Sequence, residues 1–218
     1  MAWNAIIGQE KVKNLLQKAI IDNRIANSYC FWGLDGIGKD ALAIEFAKSA
    51  NCINPIIYGN TIQACDSCSS CKEITNLQSQ SLEIIFSLPA GKTPDGHSDD
   101  PIAKLSDEQI DLIQEQIALK AENPYHKISI PNANQIKISS IRGLKKKLTL
   151  TSGSRGRRFV IISNADEMNS ESANSFLKTL EEPHDNITII LTTSRPDTIL
   201  PTILSRCQQV RCQPLPFE

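Results

Sequence analysis

Apolar residues along this chain recur at two spacings, one typical of helices and one typical of buried strands. Between Gln9 and Asp22 they return every three or four residues, which predicts an amphipathic helix packed against a core. A continuous apolar run at 28–32 predicts a buried strand, and the helical spacing resumes over 40–50. A strand, a glycine-rich turn and a helix in this order form the opening unit of an α/β domain.

Strand and helix signals continue to alternate towards the end of the sequence. Ser106 and Ser170 are predicted helix N-caps, and Pro183 is predicted to end the later of these two helices. Further strands are predicted at 82–86, 159–162 and 187–193, further helices at 106–121, 138–150 and 170–182, and a short segment 202–204 precedes a final extended stretch at 208–210. This alternation predicts an α/β fold with a mostly parallel sheet between helices.

Two polar segments interrupt the pattern. Residues 87–105 hold three prolines, two glycines and a pair of adjacent aspartates, which predicts an exposed loop, and residues 122–137 are also polar and loop-like. We therefore expect one domain over 1–213 with a polar insertion around 87–134. Residues 214–218 are interpreted as the start of a linker to C-terminal domains that the sequence does not contain.

Composition and charge narrow the class of protein. The chain has 218 residues, 40% of them hydrophobic and 22% charged, with a net charge of −1, so no global field draws it to DNA or to an anionic membrane. Its longest apolar runs are far shorter than the roughly 20 residues of a membrane span. No basic segment leads into an apolar stretch at the start, so no secretory signal is seen and a cytoplasmic protein is expected.

Residues 33–39 read GLDGIGK and match the core of a phosphate-binding P-loop. The motif follows a predicted strand and precedes a predicted helix, as phosphate binding by backbone N–H groups and a helix N-terminus requires. The spacing of the glycines excludes a dinucleotide-binding fingerprint. The predicted nucleotide-binding residues are Gly33, Gly36, Gly38, Lys39 and Asp40.

This predicted nucleotide site departs from an active one in two places. The residue after Lys39 should offer a hydroxyl to Mg²⁺, but it is Asp40, whose charge would repel phosphate. An acidic residue should end a neighbouring apolar strand, but the strand ends at Ser163-Asn164. Asp166 and Glu167 follow in the next turn, where we expect them to miss the metal. The site is therefore predicted to be vestigial, without intrinsic ATPase activity, and binding of ATP and Mg²⁺ stays open.

Four of the seven cysteines lie within a segment of twenty residues, and these are Cys52, Cys65, Cys68 and Cys71. Four thiolates are the ligand set of a closed structural Zn²⁺ site. An iron–sulfur site would need the C-x3-C-P continuation, which is absent, and unligated core thiols would not usually cluster in so polar a stretch. Zinc is therefore favoured. The other three, Cys30, Cys207 and Cys212, are expected to be core thiols.

Two stretches near the C-terminus resemble those of clamp-loader AAA+ proteins of bacterial DNA polymerase III. Residues 174–183 (NSFLKTLEEP) resemble the helix after the acidic strand, and 202–207 (TILSRC) resemble the Ser-Arg-Cys motif. Residues 191–194 look like the sensor strand of that family, whose polar end senses the γ-phosphate. A four-cysteine zinc module after the P-loop helix also occurs in this family. The resemblance covers almost the whole chain.

The resemblance implies a P-loop NTPase (AAA+) domain from a clamp-loader subunit, a component of the DNA-directed DNA polymerase holoenzyme in DNA replication. It implies other clamp-loader subunits (gamma/tau, delta) as partners, contact with the sliding clamp and primed DNA through the complex, and no membrane. It also implies that Arg206 is a trans-acting arginine finger for a neighbouring ATPase subunit, the alternative being an ordinary surface arginine.

Asp40 and Ser163-Asn164 favour a non-hydrolysing member of the family. Two other functions stay open, a catalytically active gamma/tau-like ATPase and a zinc-dependent nucleic-acid-binding module. Lys145, Lys146 and Lys147 could contact DNA phosphates, although such a run is more often a solvated helix face.

Overall fold

The computed structural model describes residues 3–90, 101–103, 105–150, 156–182 and 186–215, with the backbone alone at 149 and 150. Three sets of residues with sequence predictions lie outside these ranges. They are residues 91–100 and 104 of the loop predicted at 87–105, Pro183, and residues 216–218 of the expected linker.

Within the described residues the chain forms seven α-helices and seven strands. The helices are α1 (Glu10–Ile21), α2 (Lys39–Ala50), α3 (Ser69–Thr75), α4 (Asp107–Glu122), α5 (Ile138–Leu150), α6 (Ser170–Glu181) and α7 (Pro201–Leu204). The strands are β1 (Ser28–Trp32), β2 (Ile56–Tyr58), β3 (Thr61–Gln63), β4 (Leu82–Ile85), β5 (Arg158–Ile162), β6 (Ile187–Thr193) and β7 (Gln208–Arg211).

Five of these strands form the central sheet in the order β4-β5-β6-β1-β7. Every neighbouring pair in this sheet is parallel, so the predicted α/β fold with a parallel sheet between helices is confirmed. The carboxyl ends of the parallel strands share one edge, and the P-loop follows β1 at that edge.

Side chains of the central strands alternate between two apolar cores, because successive residues of a strand point to opposite faces. Tyr29 and Phe31 of β1 pack in the core that contains α2, whereas Cys30 packs in the core that contains α5 and α6. All seven residues of β6 are buried. This two-sided burial explains why the strands read as continuous apolar runs in the sequence.

Helix starts are confirmed in one case and corrected in another. Ser106 precedes α4 and forms a capping box with Gln109. The prediction that Ser170 caps α6 is wrong, because Ser170 is the first helical residue and Asn169 is the cap. The Asn169 side chain accepts a hydrogen bond from the Ser172 N–H. Asparagine and serine are equally good caps, so the sequence alone did not separate the two positions.

Two local structures were not anticipated from the sequence. The antiparallel hairpin β2–β3 and the short helix α3 lie in the cysteine-rich segment. Within the polar insertion predicted around 87–134, Ile113 of α4 forms a small separate core with Leu88 and Ile130. No helix of the described residues is long and apolar enough to span a bilayer.

Candidate nucleotide site and cysteine cluster

The glycines of the P-loop are required by backbone conformation and by close packing. Gly38 ends the loop with a φ of 86°, and a Cβ atom there would lie 2.5 Å from the ring of Tyr125. A Cβ on Gly33 would lie 2.5 Å from the carbonyl oxygen of Cys212. The loop therefore keeps the conformation its motif predicts, with the segment after α4 packed directly upon it.

Lys39, the P-loop lysine, is buried and turned back onto its own loop. Its Nζ donates hydrogen bonds to the carbonyl oxygens of Gly33 at 3.0 Å and Leu34 at 2.6 Å. Burial lowers the pKa of Lys39 below its ordinary value, although Asp35 and Asp40 oppose that effect. Two carbonyl oxygens of the loop therefore bind the ammonium group that the lysine of an active P-loop offers to phosphate.

Asp40 is the centre of a hydrogen-bonded network that joins the loop to two strands and to α4. Ser163 Oγ donates to Asp40 Oδ2 at 2.9 Å and Thr192 Oγ1 donates to Oδ1 at 2.7 Å. Lys120 Nζ lies 3.0 Å from Oδ2. Burial by itself raises the pKa of Asp40, but the charge of Lys120 and these hydrogen bonds outweigh it and hold the pKa below its usual value.

The Asp40–Ser163 contact has the two functional groups of an active site in exchanged positions. An active P-loop carries a hydroxyl after its lysine and a carboxylate at the end of the neighbouring strand. Here the carboxylate follows Lys39 and the hydroxyl of Ser163 directly follows β5, and the Ser163 hydroxyl donates a hydrogen bond of 2.9 Å to the carboxylate. The carboxylate and the hydroxyl are therefore in the reverse of the arrangement that holds Mg²⁺ in an active P-loop site.

Lys120 was not identified from the sequence as part of the site. It lies in the last turn of α4 with only 1% of its surface exposed, and its Nζ also donates to the carbonyl oxygens of His126 at 2.8 Å and Pro124 at 3.4 Å. An ammonium group has three N–H donors, and these partners together with Asp40 use all of them. No local signal separates this lysine from the exposed lysines of other helices.

A cavity of about 550 Å³ lies between the P-loop and the chain that follows α4. Asp35, Lys39 and Asp40 line one side, and Tyr125 and Lys127 line the other. An exposed ion pair between Lys127 Nζ and Asp35 Oδ2, 2.6 Å long, joins the two sides. The polar segment after α4 is thus a wall of the predicted nucleotide site.

The acidic residues after β5 are engaged elsewhere. Asp166 Oδ2 accepts hydrogen bonds from Nε and Nη2 of Arg195 at 2.9 and 2.7 Å, and its Oδ1 accepts one from Thr193 Oγ1 at 2.6 Å. Glu167 accepts a hydrogen bond from the Ser87 hydroxyl. Both carboxylates therefore have partners other than a metal.

The structure brings the four predicted metal ligands together. The Sγ atoms of Cys52, Cys65, Cys68 and Cys71 all lie within 4.8 Å of one another. A tetrahedral site with Zn–S bonds of about 2.3 Å needs sulfur atoms roughly 3.8 Å apart. The cluster can therefore hold a metal ion.

Backbone hydrogen bonds to two of these sulfur atoms support the cluster. The Cys65 N–H donates to Cys52 Sγ at 3.2 Å and the Cys68 N–H donates to Cys65 Sγ at 3.4 Å. Hydrogen bonds from the side chain and backbone of Ser67, with the Cys68 N–H, lower the pKa of Cys65 to about 5. Such donors favour the thiolate, which is the form that binds metal.

Ion pairs of Lys48 connect the cysteine cluster to α2. Lys48 is buried, and its Nζ lies 2.5 Å from Asp66 Oδ1 and 2.9 Å from Glu45 Oε2. Asp66 lies in the cysteine loop, next to Cys65. Burial raises the pKa of Glu45 to about 7 although Lys48 opposes the shift.

Arg206, the predicted arginine finger, lies at the amino-terminal end of β1. Its backbone carbonyl accepts a hydrogen bond from Ser28 Oγ at 2.5 Å. Its guanidinium is partly exposed and donates to Glu181 Oε1 and to the Thr202 carbonyl, each at 2.9 Å. The Glu181 contact is the surface pairing that the alternative interpretation anticipates.

The remaining residues singled out from the sequence lie away from these sites. Cys30, Cys207 and Cys212 are buried, and burial raises their pKa values to about 12, 11 and 11. Lys145, Lys146 and Lys147 are exposed on α5, and Lys147 Nζ lies 2.7 Å from Glu83.

Comparison with known proteins gives a family and relatives for the whole domain. Residues 8–216 match the family described as DNA polymerase III, delta subunit. The chain is 30% identical, over 95% of its length, to DNA polymerase III subunit delta' of Bacillus subtilis, and it covers 48% of that protein. It is 26% identical, over 94% of its length, to DNA polymerase III subunit tau of the same organism, of which it covers 28%.

The chain thus spans about half the length of the delta' relative. Among solved structures, a DNA polymerase III gamma subunit-related protein from Thermotoga maritima resembles it with a TM-score of 0.52 and 20% identity, over 92% of this chain and 46% of that one. The fold is therefore shared with that protein. The predicted resemblance to the clamp-loader family is confirmed, and the chain is more similar to the delta' subunit than to the tau subunit of the same organism.

Proposed function

This chain belongs to the DNA polymerase III, delta subunit, family, and on that basis we propose that it is a non-hydrolysing subunit of the clamp loader in DNA replication. In this role it supplies Arg206 to the nucleotide site of a neighbouring ATPase subunit while the sliding clamp is loaded on primed DNA. Its partners are the other clamp-loader subunits, gamma/tau and delta, and it meets the clamp and DNA through the assembled complex.

One observation carries the non-hydrolysing part of the proposal: three groups of the chain itself contact the carboxylate of Asp40. Two hydroxyls and a lysine contact it, and the residue that follows β5 is Ser163 rather than an acid. A P-loop enzyme needs a hydroxyl after its lysine for Mg²⁺ and an acidic residue to complete the metal site. Neither is present at those positions.

The position of Arg206 supports a role at the nucleotide site of another subunit rather than at its own. The backbone carbonyl of Arg206 is hydrogen-bonded to Ser28, the first residue of β1, whereas the P-loop follows the last residue of that strand. A strand of five residues places its two ends roughly 15 Å apart. Arg206 therefore lies too far from its own P-loop to stabilise a phosphoryl group there. Its pairing with Glu181 is half exposed, so a competing phosphate can displace it with little loss of stability.

We also propose Zn²⁺ as the metal of the cysteine cluster, with a structural role. Cys52, Cys65, Cys68 and Cys71 would supply all four ligands, which leaves no open position for chemistry. Zinc bound there would contribute its binding free energy to the local fold of the segment that carries β2, β3 and α3.

The proposal is tested with a reconstituted clamp loader in which this subunit carries Arg206→Ala. DNA-dependent ATP hydrolysis and clamp loading should both fall, because a guanidinium supplied in trans contributes about 10³–10⁵ in kcat in well-studied phosphoryl-transfer enzymes. Arg206→Lys should restore little, since lysine keeps the charge and loses the two-pronged hydrogen bonding. The matched control is Arg142→Ala, an exposed arginine of α5.

Unchanged rates for Arg206→Ala in a complex of normal composition would refute the arginine-finger role. Steady ATP turnover by this chain alone would instead favour the second candidate, a gamma/tau-like ATPase. That candidate is supported by the intact glycines and Lys39 of the P-loop, and by the similarity to the tau subunit.

A further inference from the structure

The exchange of carboxylate and hydroxyl between Asp40 and Ser163 leaves an anionic centre in the P-loop. Thr192 at the end of β6 directs its hydroxyl to the same carboxylate, so two strands and the first turn of α2 meet there. In an active site these three positions surround Mg²⁺ and the outer phosphates. In this chain they surround one carboxylate, which needs a positive charge beside it.

Lys120 is that positive charge. It comes from α4, is almost fully buried, and places Nζ 3.0 Å from Asp40 Oδ2. Its other hydrogens are held by the carbonyl oxygens of Pro124 and His126, so the ammonium group is fixed from both sides. A second cation beside Asp40 would meet the charge of Lys120 at close range in a site that is mostly shielded from water.

The chain after Lys120 closes over the same loop. Tyr125 packs on Gly38, and Lys127 pairs with Asp35. The Tyr125 hydroxyl also accepts a hydrogen bond from the Ile7 N–H at 2.8 Å, which fixes the ring to the N-terminal segment. Residues 120–127 therefore contact the P-loop at three places, of which only the Lys120–Asp40 contact is a buried ion pair.

We infer that Lys120 is a built-in counter-ion that takes the place of Mg²⁺ at this P-loop, so that Lys120 and Asp40 together exclude magnesium nucleotide. The inference deepens the non-hydrolysing role proposed above and rests on it. It assigns the exclusion to one pair of residues rather than to a general decay of the loop, because the motif glycines and Lys39 are all present and Gly36 and Gly38 have the positive φ angles that favour glycine.

The test is the paired variant Asp40→Thr with Lys120→Met, which removes both charges together and restores the hydroxyl after Lys39. Titration with a fluorescent ATP analogue in Mg²⁺ should show affinity at least about tenfold higher than that of the unmodified chain, and the gain should disappear in EDTA. The matched control is Lys13→Met, which removes a buried lysine of α1 and should bring no gain. Circular dichroism establishes that each variant is folded.

A folded paired variant that binds no more tightly than the unmodified chain would refute the inference. If the paired variant does not fold, the unmodified chain decides: Mg²⁺ with inorganic pyrophosphate should leave its melting temperature unchanged, and a Mg²⁺-dependent rise would refute the inference. These outcomes are separate from those of the proposed function, which fails if the unmodified chain hydrolyses ATP.

Discussion

Lys120→Met should destabilise the domain strongly, although Lys120 belongs to a segment that reads as polar in the sequence. The substitution leaves the Asp40 carboxylate without its counter-ion, and breaking a buried pair in this way costs about 3–5 kcal/mol. We expect the lower end, about 3 kcal/mol, because the Asp40 side chain is 23% exposed and keeps the hydroxyls of Ser163 and Thr192. For a chain of this length that corresponds to a fall in Tm of about 6–12 °C.

Urea denaturation measures the coupling free energy between Lys120 and Asp40 directly. Four proteins are compared: the unmodified chain, Lys120→Met, Asp40→Asn and the double variant. Each single variant leaves one buried charge unpaired, whereas the double variant leaves none. The double variant should therefore lose much less stability than the sum of the two single losses, and the difference is the coupling between the residues. The slope of each unfolding curve checks that the variants unfold in the same way.

The pH dependence of the free energy of unfolding gives an independent check that Lys120 stabilises the charged form of Asp40. The folded-state pKa of Asp40 is lowered, so its contribution to stability is present above the unfolded pKa of about 3.9 and is lost as the pH falls through the folded value. Without Lys120, burial raises that pKa, and the variant takes up a proton at a higher pH. The difference in free energy of unfolding between the unmodified chain and Lys120→Met should thus become smaller from pH 7 to pH 4. The proposed ion pair would be refuted if this difference did not change with pH and the double variant showed no coupling between Lys120 and Asp40.

Three further predictions concern the metal, Glu45 and catalysis. One equivalent of Zn²⁺ should co-purify, and Cys68→Ser should release it and loosen 52–71 while sparing the main sheet; native mass spectrometry showing iron or no metal contradicts this. Because the pKa of Glu45 is raised to about 7, its contribution to stability is lost as the pH rises from about 4.5 through 7, and Glu45→Gln should remove that decline from unfolding curves. The chain alone should show no ATPase activity, in a phosphate-release assay that a purified active P-loop ATPase validates.

The elements of the central sheet were predicted closely because their signals are local. The boundaries predicted for β1 and β6 match the structure, and those of α2 and β5 differ by one residue. Both faces of these strands are buried, so each strand gives a continuous apolar run. The short β2, β3 and α3 were not anticipated, because elements of three to seven residues are too short to show a clear apolar period.

The residues of the candidate site also fall into those that local sequence signals predicted and those that they did not. The P-loop glycines, Lys39 and the four cysteines were found because backbone conformation and ligand spacing leave a mark in neighbouring residues. The loss of the hydroxyl at Asp40 was also visible in the sequence. Where the charge of Asp40 would be balanced was not visible, because its counter-ion Lys120 lies 80 residues further along the chain.

The sequence by itself determined the parallel α/β fold, the P-loop and the composition of the cysteine cluster. Only the tertiary structure decided that Lys120 neutralises Asp40. In α4, Leu119 is 37% exposed while Lys120 is 1% exposed, the reverse of what their hydropathy indicates. The physical reason is that burial of an ammonium group depends on a carboxylate and two carbonyl oxygens meeting it, and α4 must dock on the P-loop before those partners are in reach.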